Sequence, residues 1–293
     1  MALDAGVPAT PAELAALGAP AHARPVVVKL GGEVLGPPLL AEVVADLART
    51  GGRQGAAPVR MIVVHGGGPQ ATALSQRLGI APHIVGGRRV TDAATLEVIK
   101  MVVAGQLNVD LVAALRAAGL SAVGLHGASG LVRATRRPPR VVSGGGPDPI
   151  DFGAVGDVEG FDLRLLATLA EAGYLPVIAG VGVSPAGEVL NINADVVASQ
   201  LAAAVGAAVL VAVTGVGGVR LDAADPATRI PRLTVADARA AIADGTVHGG
   251  MIPKLEEAFA PLAAGVGAVH VVGPREIAAS LAAPGSVGTL LLP

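Results

Sequence analysis

The 293-residue chain contains no cysteine, which excludes a disulfide framework, a thiolate metal site and cysteine-nucleophile chemistry. Aromatic residues are almost as scarce: one Tyr, three Phe and no Trp leave little on which nucleobases could stack. The formal net charge of −2 gives no basic excess to neutralise a phosphate backbone, so nucleic acid is not an expected partner. The N-terminus, MALDAGVPATPAELAALGAPAHARP, has neither a basic n-region nor a long apolar h-region. It reads as no secretory signal, and a cytoplasmic protein is expected. Val196 to Val219 carries no formal charge but is mostly Ala, Gly and Val, interrupted by Ser199, Gln200, Gly206 and Thr214. A buried helix, a turn at Gly206 and a buried strand are expected there, not a membrane span.

What the chain does have is apolar residues, 52% of the total, enough to bury one large core or two modest ones. Short β-branched runs (Pro25 to Leu30, Val59 to His65, Ser121 to Leu125, Pro176 to Ala179, Ala208 to Thr214, Ala268 to Val272) alternate with Ala/Leu-rich segments. The latter predict helices over Leu39 to Arg49, Pro69 to Leu78, Asp92 to Ala118, Leu163 to Ala172, Ala194 to Val205, Val235 to Asp244 and Pro253 to Ala264. Continuous apolar strands between amphipathic helices predict an α/β fold: a mainly parallel sheet covered on both faces, with ligands at the C-terminal strand ends. Residues 1–24 read as a separate extension. Thr135 to Asp151, rich in Pro, Gly and Arg, reads as a projecting hairpin or lid.

Glycine clusters mark the strand ends. Lys29-Leu30-Gly31-Gly32 follows the first strand, and His65-Gly66-Gly67-Gly68-Pro69-Gln70 joins the second to a helix that Pro69 opens. Bare backbone N–H groups at a helix N-terminus suit a carboxylate or phosphate, although such turns also serve packing. No Gly-Lys dipeptide exists, so there is no Walker A loop, and no G-x-G-x-x-G sits at a strand-to-helix junction. The cations sharpen the search. Of 21, only Lys29, Lys100 and Lys254 are lysine. A chain that uses arginine wherever surface charge suffices reserves lysine for places needing a compact ammonium. Lys29 and Lys254 lie in glycine-flanked loops and read as functional, whereas Lys100, three residues after Glu97, reads as a solvated helix pair. In Asn191-Ile192-Asn193-Ala194-Asp195, helix capping accounts for Asn193 or Asp195 and leaves Asn191 spare. Of Arg88 and Arg89, at least one suits a substrate carboxylate, which guanidinium binds bidentately. His65 and His248 could be general bases but have no Ser/Asp partners or metal-ligand spacing, and read as structural or as supporting the site from behind. No metal site is expected.

Taken in order, VVVKLGG (26–32), VVHGGGPQ (63–70), RVTDAATLEVIKMVVAGQLNVDLV (89–112), FGAVGDV (152–158), YLPVIAGVGV (174–183), LNINADVVASQLA (190–202) and LTVADARAAIADGTVHGGMIPKLEEA (233–258) resemble the amino-acid kinase family. The resemblance runs from about residue 25 nearly to the end. It implies a three-layer fold with a central, mainly parallel sheet of about eight strands. It further implies an amino-acid-binding and dimerisation lobe over 25–185 and a nucleotide lobe over 186–293. The implied activity is ATP-dependent phosphorylation, with Mg2+ carried by the nucleotide, of the γ-carboxylate of N-acetyl-L-glutamate, in a homodimer or a homohexamer. By matching position, Lys29 and Lys254 look like the transition-state-stabilising pair and Asp195 like the aspartate that organises them. Gly67, Gly68, Arg89 and Asn191 resemble the acceptor contacts. Gly31, Gly32, Thr214, Gly218, Gly250 and Met251 resemble the nucleotide and phosphate contacts. The chain departs from the family pattern at Gly215, where an aspartate is common, and over Gly124 to Leu131, one residue shorter and without its acid. These departures keep two alternatives in view: another carboxylate acceptor, such as carrier-protein-linked aminoadipate or glutamate, and a non-catalytic regulatory relative.

Overall fold

A computed structural model describes residues 24–51, 60–142, 146–222, 225–247 and 251–293, without the side chains of residues 226, 251, 253 and 254. The expected strands all form, with ends shifted by a residue or two: β1 (Val26–Leu30), β2 (Met61–His65), β5 (Ala122–Leu125), β8 (Leu175–Ala179), β11 (Val209–Val213) and β13 (Ala268–Val272). With β12 (Arg232–Thr234) and β14 (Thr289–Leu292) they make one eight-stranded sheet in the order β12-β14-β13-β11-β1-β2-β8-β5. Every pairing is parallel except β13 with β14. The mainly parallel α/β sheet expected from the sequence is therefore present.

Its alternating side chains feed two cores, because successive strand residues point to opposite faces. Val27, Ile62, Val64, Ile178 and Leu210 face one side, where helices α5 (Leu163–Glu171), α6 (Ala194–Ala204) and α8 (Met251–Ala263) supply Leu166, Val197, Leu201 and Leu255. Val28, Leu30, Val63, Val177 and Val211 face the other, filled by Val43 and Leu47 of α1 (Leu39–Gly51) and by Val102, Leu111 and Leu115 of a long helix. That helix starts as α3 (Ala93–Ile99), capped by Asp92 Oδ1 on the Thr95 amide at 2.8 Å, and ends as α4 (Asn108–Ala117). Between them Lys100–Leu107 is a π-helix, where the sequence pattern predicts an uninterrupted α-helix. Ala93–Ala117 has the length and hydropathy of a membrane span, but its apolar residues Val98, Val102, Leu107, Leu111 and Leu115 lie in the core. The uncharged stretch from Val196 forms, as expected, a buried helix, a turn at Gly206 and β11.

Several of the remaining elements lack a strong apolar signature, and the sequence pattern does not predict them. A four-stranded sheet joins β6 (Val132–Arg136), β7 (Gly156–Phe161), β9 (Val181–Val183) and β10 (Val189–Asn191) beside the strand ends. Beyond β6, where the sequence suggests a hairpin or lid, Arg140 and Ile150 exchange backbone hydrogen bonds of 3.1 and 3.0 Å, with residues 143–145 between them outside the described residues. A two-stranded hairpin, β3 (Ile84–Val85) and β4 (Arg88–Arg89), follows helix α2 (Gly68–Arg77). The helix α7 (Val235–Ala243) matches its expectation, whereas the short α9 (Ile277–Ala282) is held from outside. Fully buried Asp46 of α1 accepts from the amides of Ile277 and Ala278 at 2.6 and 3.3 Å and pairs with Arg49 at 2.7 Å.

Two buried histidines, His65 and His270, have pKa values pushed down to about 4 by desolvation. Their unfolded values lie near 6.5, so the unfolded chain takes up two protons the native one refuses as pH falls from about 6.5 to about 4. Stability is complete above that window and lost through it, by about 3 kcal/mol per histidine at its lower end. His270→Leu, which also removes the unpartnered buried Nδ1, is expected to recover its own share, about half of the combined loss, in urea titrations at pH 7 and pH 4.5.

Candidate active site

The C-terminal ends of β1, β2 and β8 open into a cavity of about 790 Å³. Lys29, the penultimate residue of β1, is largely buried there, with its Nζ 2.6 Å from Asp195 Oδ1. Burial by itself lowers a lysine pKa, but Asp195, helped by Glu33 and Glu257, reverses the sign and raises it. Lys29 is therefore a fixed cation. Asp195 is free for this role because Asn193, the N-cap of α6, takes the capping task and accepts from the Asp195 amide at 2.9 Å. Asn191, left spare by that cap, closes β10 and donates from Nδ2 to Thr91 Oγ1 at 3.1 Å at the cavity wall.

Two glycine loops form the cavity floor and touch each other. A Cβ on Gly32 would come within 2.7 Å of Pro69 and 3.1 Å of the Gly67 α-carbon. Gln70 Nε2 donates to the Gly32 carbonyl at 2.7 Å, tying the loop after β1 to the start of α2. Gly67 has extended backbone and is glycine for want of space: a side chain would strike Leu107 and Val103. Gly68 opens α2; Pro69 has no N–H, so the Gly68 and Gln70 amides are the first-turn donors without an intrahelical partner, an arrangement suited to an anion. Gly31 lies beneath the carboxylate of Glu33. Over this floor Arg89, on β4, donates from Nη2 to Thr72 Oγ1 at 2.7 Å and to the Gly68 carbonyl at 3.1 Å. Its Nη1 is buried without a partner, and burial lowers its pKa below the ordinary guanidinium value. A held guanidinium with one spare, desolvated edge is suited to a carboxylate. Arg88, on the same strand, is exposed and reaches only the Gly86 carbonyl at 3.4 Å.

Thr214 follows β11 and lines a small recess shared with Lys29, Asp195 and Glu257; its Oγ1 accepts from the Gly217 amide at 3.3 Å. Gly218 is on the same turn but packs beside Thr289 and Arg229 and lines neither cavity. Lys254 lies in the first turn of α8, one turn before Glu257, which lines both cavities. The side chains of Lys254 and Met251, and all of Gly250 and His248, lie outside the described residues. Lys100 pairs with Glu97, as its spacing predicts. Sequence reasoning missed Thr72, Glu33 and Glu257. Gln70 was inside a recognised motif, but its bond to Gly32 spans 38 residues and has no local signature. Among the described residues no group of three or more His, Asp or Glu side chains could hold a metal ion.

Known proteins are similar to this chain over most of its length. The profile of the Amino acid kinase family matches residues 24–273. An acetylglutamate kinase of Sorangium cellulosum is 57% identical over 92% of this chain and 95% of its own length. One of Anaeromyxobacter dehalogenans is 54% identical over 92% and 99%. In three dimensions the chain superposes on a carbamate kinase from Giardia lamblia bound to AMP-PNP, with a TM-score of 0.66 at 15% identity over 93% of this chain and 99% of that one. That likeness concerns the fold. Carried by a profile that spans most of its length and by relatives more than half identical to it, the chain belongs to the amino acid kinase family.

Proposed function

We propose that this chain transfers the γ-phosphoryl group of ATP to the γ-carboxylate of N-acetyl-L-glutamate, giving N-acetyl-L-glutamyl 5-phosphate and ADP, the second step of arginine biosynthesis. The observation that carries this reading is the Lys29–Asp195 pair set beside two interlocked glycine loops, in a chain 57% identical to an acetylglutamate kinase. The acceptor carboxylate is already ionised at neutral pH, so no general base is needed. One of its oxygens bonds to the γ-phosphorus as the bond to the β,γ-bridging oxygen breaks, the electron pair leaves with ADP, and no proton moves. The protein must hold two anions together and stabilise charge spreading over the transferred group.

In this reading Arg89 takes the α-carboxylate through its spare Nη1, while the Gly67 and Gly68 amides and Asn191 hold the rest of the acceptor. Gly31 and Gly32 receive the phosphates. Lys29, oriented by Asp195, and Lys254 neutralise the transferring phosphoryl group. Thr214, Gly250 and Met251 border the nucleotide, whereas Gly218, which lines neither cavity, belongs to the turn that follows Thr214. Mg2+ would arrive with ATP and would supply positive charge to its phosphates. Residues 25–185 form the acceptor lobe and 186–293 the nucleotide lobe. The working unit is a cytoplasmic homodimer; exposed Met101 and Val109 on the long helix offer an apolar face to a second copy. The extension whose presence raised a homohexamer lies outside the described residues.

The test is ADP release with N-acetyl-L-glutamate in the presence of hydroxylamine, which converts an acyl phosphate to a hydroxamate. Equal amounts of ADP and hydroxamate are expected. Hydroxamate formed only with a different carboxylate would reassign the acceptor, and none with any acceptor would remove the kinase reading.

A further inference from the structure

His65 and Asn108 take part in none of the steps above, yet both are buried directly under the acceptor loop. Asn108 stands where the π-helix returns to α geometry. Buried Val102 and Val103 are followed by buried Leu107 and Asn108 five residues later, the spacing of i→i+5 turns. That lag brings the amide of Asn108 inward with Leu111 and Leu115, against β2 and β8.

The hydrogen bonds there permit one assignment. Asn108 Nδ2 lies 3.0 Å from the Val177 carbonyl oxygen, which can only accept, so the NH2 end of the amide must face it. The same nitrogen lies 2.9 Å from His65 Nε2. Its second hydrogen is donated there, and Nε2 must carry the lone pair. The ring proton is then on Nδ1, 2.9 Å from the Gly66 carbonyl oxygen, to which it donates. Donation runs one way, from Asn108 to His65 to Gly66. The Gly66 carbonyl and the Gly67 N–H belong to one planar trans peptide and point in opposite directions. Holding the carbonyl down on His65 turns the Gly67 N–H up and away from the core.

We propose that Asn108 and His65 are a positioning relay: they fix the Gly66–Gly67 peptide plane and so aim the Gly67 amide at the bound acceptor without touching it. This deepens, and rests on, the reading of Gly66–Gly68 as the acceptor loop. Three further observations agree with it. Protonation at Nε2 would set N–H against N–H, and His65 is held neutral, with a pKa pushed down by burial to about 4. Val103 and Leu107 of the π-helix press on Gly67 from the side, so the segment that turns Asn108 inward also confines the loop. A Cβ on Gly124 of β5 would collide with Asn108 Oδ1, so this glycine gives the amide its space.

Two measurements test the relay. Long-range 1H–15N NMR of the intact protein labelled at histidine nitrogen, with the His65 signal identified by its loss in His65→Gln, should show a neutral Nδ1–H ring that does not titrate between pH 8 and pH 5.5. An Nε2–H ring, or titration in that range, overturns the proposal. In steady-state kinetics, Asn108→Leu and Gly124→Ala should each raise KM for N-acetyl-L-glutamate about tenfold, the size expected for losing one buried hydrogen-bond partner, while KM for MgATP stays within about twofold. Asn108→Asp, an acceptor where a donor stands, should move the ring proton to Nε2 and raise KM in the same way. Equal rises in both KM values, or lowered stability with unchanged KM, would make the pair merely structural and overturn the relay. If Asn108→Leu does not fold, Gly124→Ala and the wild-type NMR still decide. A wild-type protein inactive on N-acetyl-L-glutamate would fail the proposed function instead, leaving the NMR result to judge the tautomer.

Discussion

Lys29→Arg lowers kcat by about 10²- to 10³-fold, the range seen when one preorganised donor to transition-state charge is removed, while the thermal midpoint changes little. The ammonium of Lys29 is a point charge 2.6 Å from Asp195, at the end of a strand whose neighbours β11 and β2 fix its backbone on both sides. A guanidinium is longer and planar, and it spreads the same charge over three nitrogens, so it cannot keep the Asp195 contact and reach the same point in the cavity. Asp195→Asn is expected to lose nearly as much, because it leaves Lys29 in the same recess without the carboxylate that offsets its desolvation. The two losses should be strongly non-additive: the double variant falls little below either single one, since each disables the same unit. Turnover by Lys29→Arg at the wild-type rate, measured by ADP release, would remove Lys29 from the chemistry.

Arg89→Lys produces the second large effect, and it falls on KM. Arg89 spends Nη2 on Thr72 and the Gly68 carbonyl, which leaves Nη1 desolvated and unpartnered over the glycine floor. A charge-assisted hydrogen bond contributes about 1.5–3 kcal/mol, so its loss should raise KM for N-acetyl-L-glutamate roughly 10- to 150-fold. Lysine keeps the charge but cannot hold Thr72, Gly68 and a ligand at once. Because the lost contact is made equally in ground and transition states, kcat at saturating acceptor should move by less than about threefold. Thr72→Val, which removes only the brace, should give an intermediate KM. A fall in kcat without a rise in KM would instead put Arg89 at the phosphoryl group.

Much of this was legible in the chain, for reasons that can be located. Val26 to Leu30 and Met61 to His65 are buried on both faces, so their composition alone marks them as central parallel strands. The lysine count singled out Lys29, and the spare amide in the Asn191 to Asp195 segment singled out Asn191, because each stood outside what packing or capping required. The edge strand β12, its neighbour β14 and the small sheet of β6, β7, β9 and β10 are shorter or half-polar, and pairing partners far along the chain decide their conformation. The π-helix was equally hidden. Residues 100–107 have apolar character on most sides, so no period stands out, and Val103 and Leu107 pack beside Gly67, a neighbour far away in sequence. His65 carries no local sign of its surroundings, because its hydrogen-bond partner Asn108 lies 43 residues away.

The bond between Gln70 and the Gly32 carbonyl bears on how such a reaction can be compressed. With Gly32 packed against Pro69 and Gly67 too tightly for even a methyl group, the surfaces facing the donor and the acceptor are one stiff plate. They cannot slide toward each other to shorten the gap between the two reactants. In the proposed reaction, any approach of the two reactants would then fall to the walls, the hairpin from Ile84 to Arg89 on one side and the helix from Met251 to Ala263 on the other, with the floor as their fixed jaw.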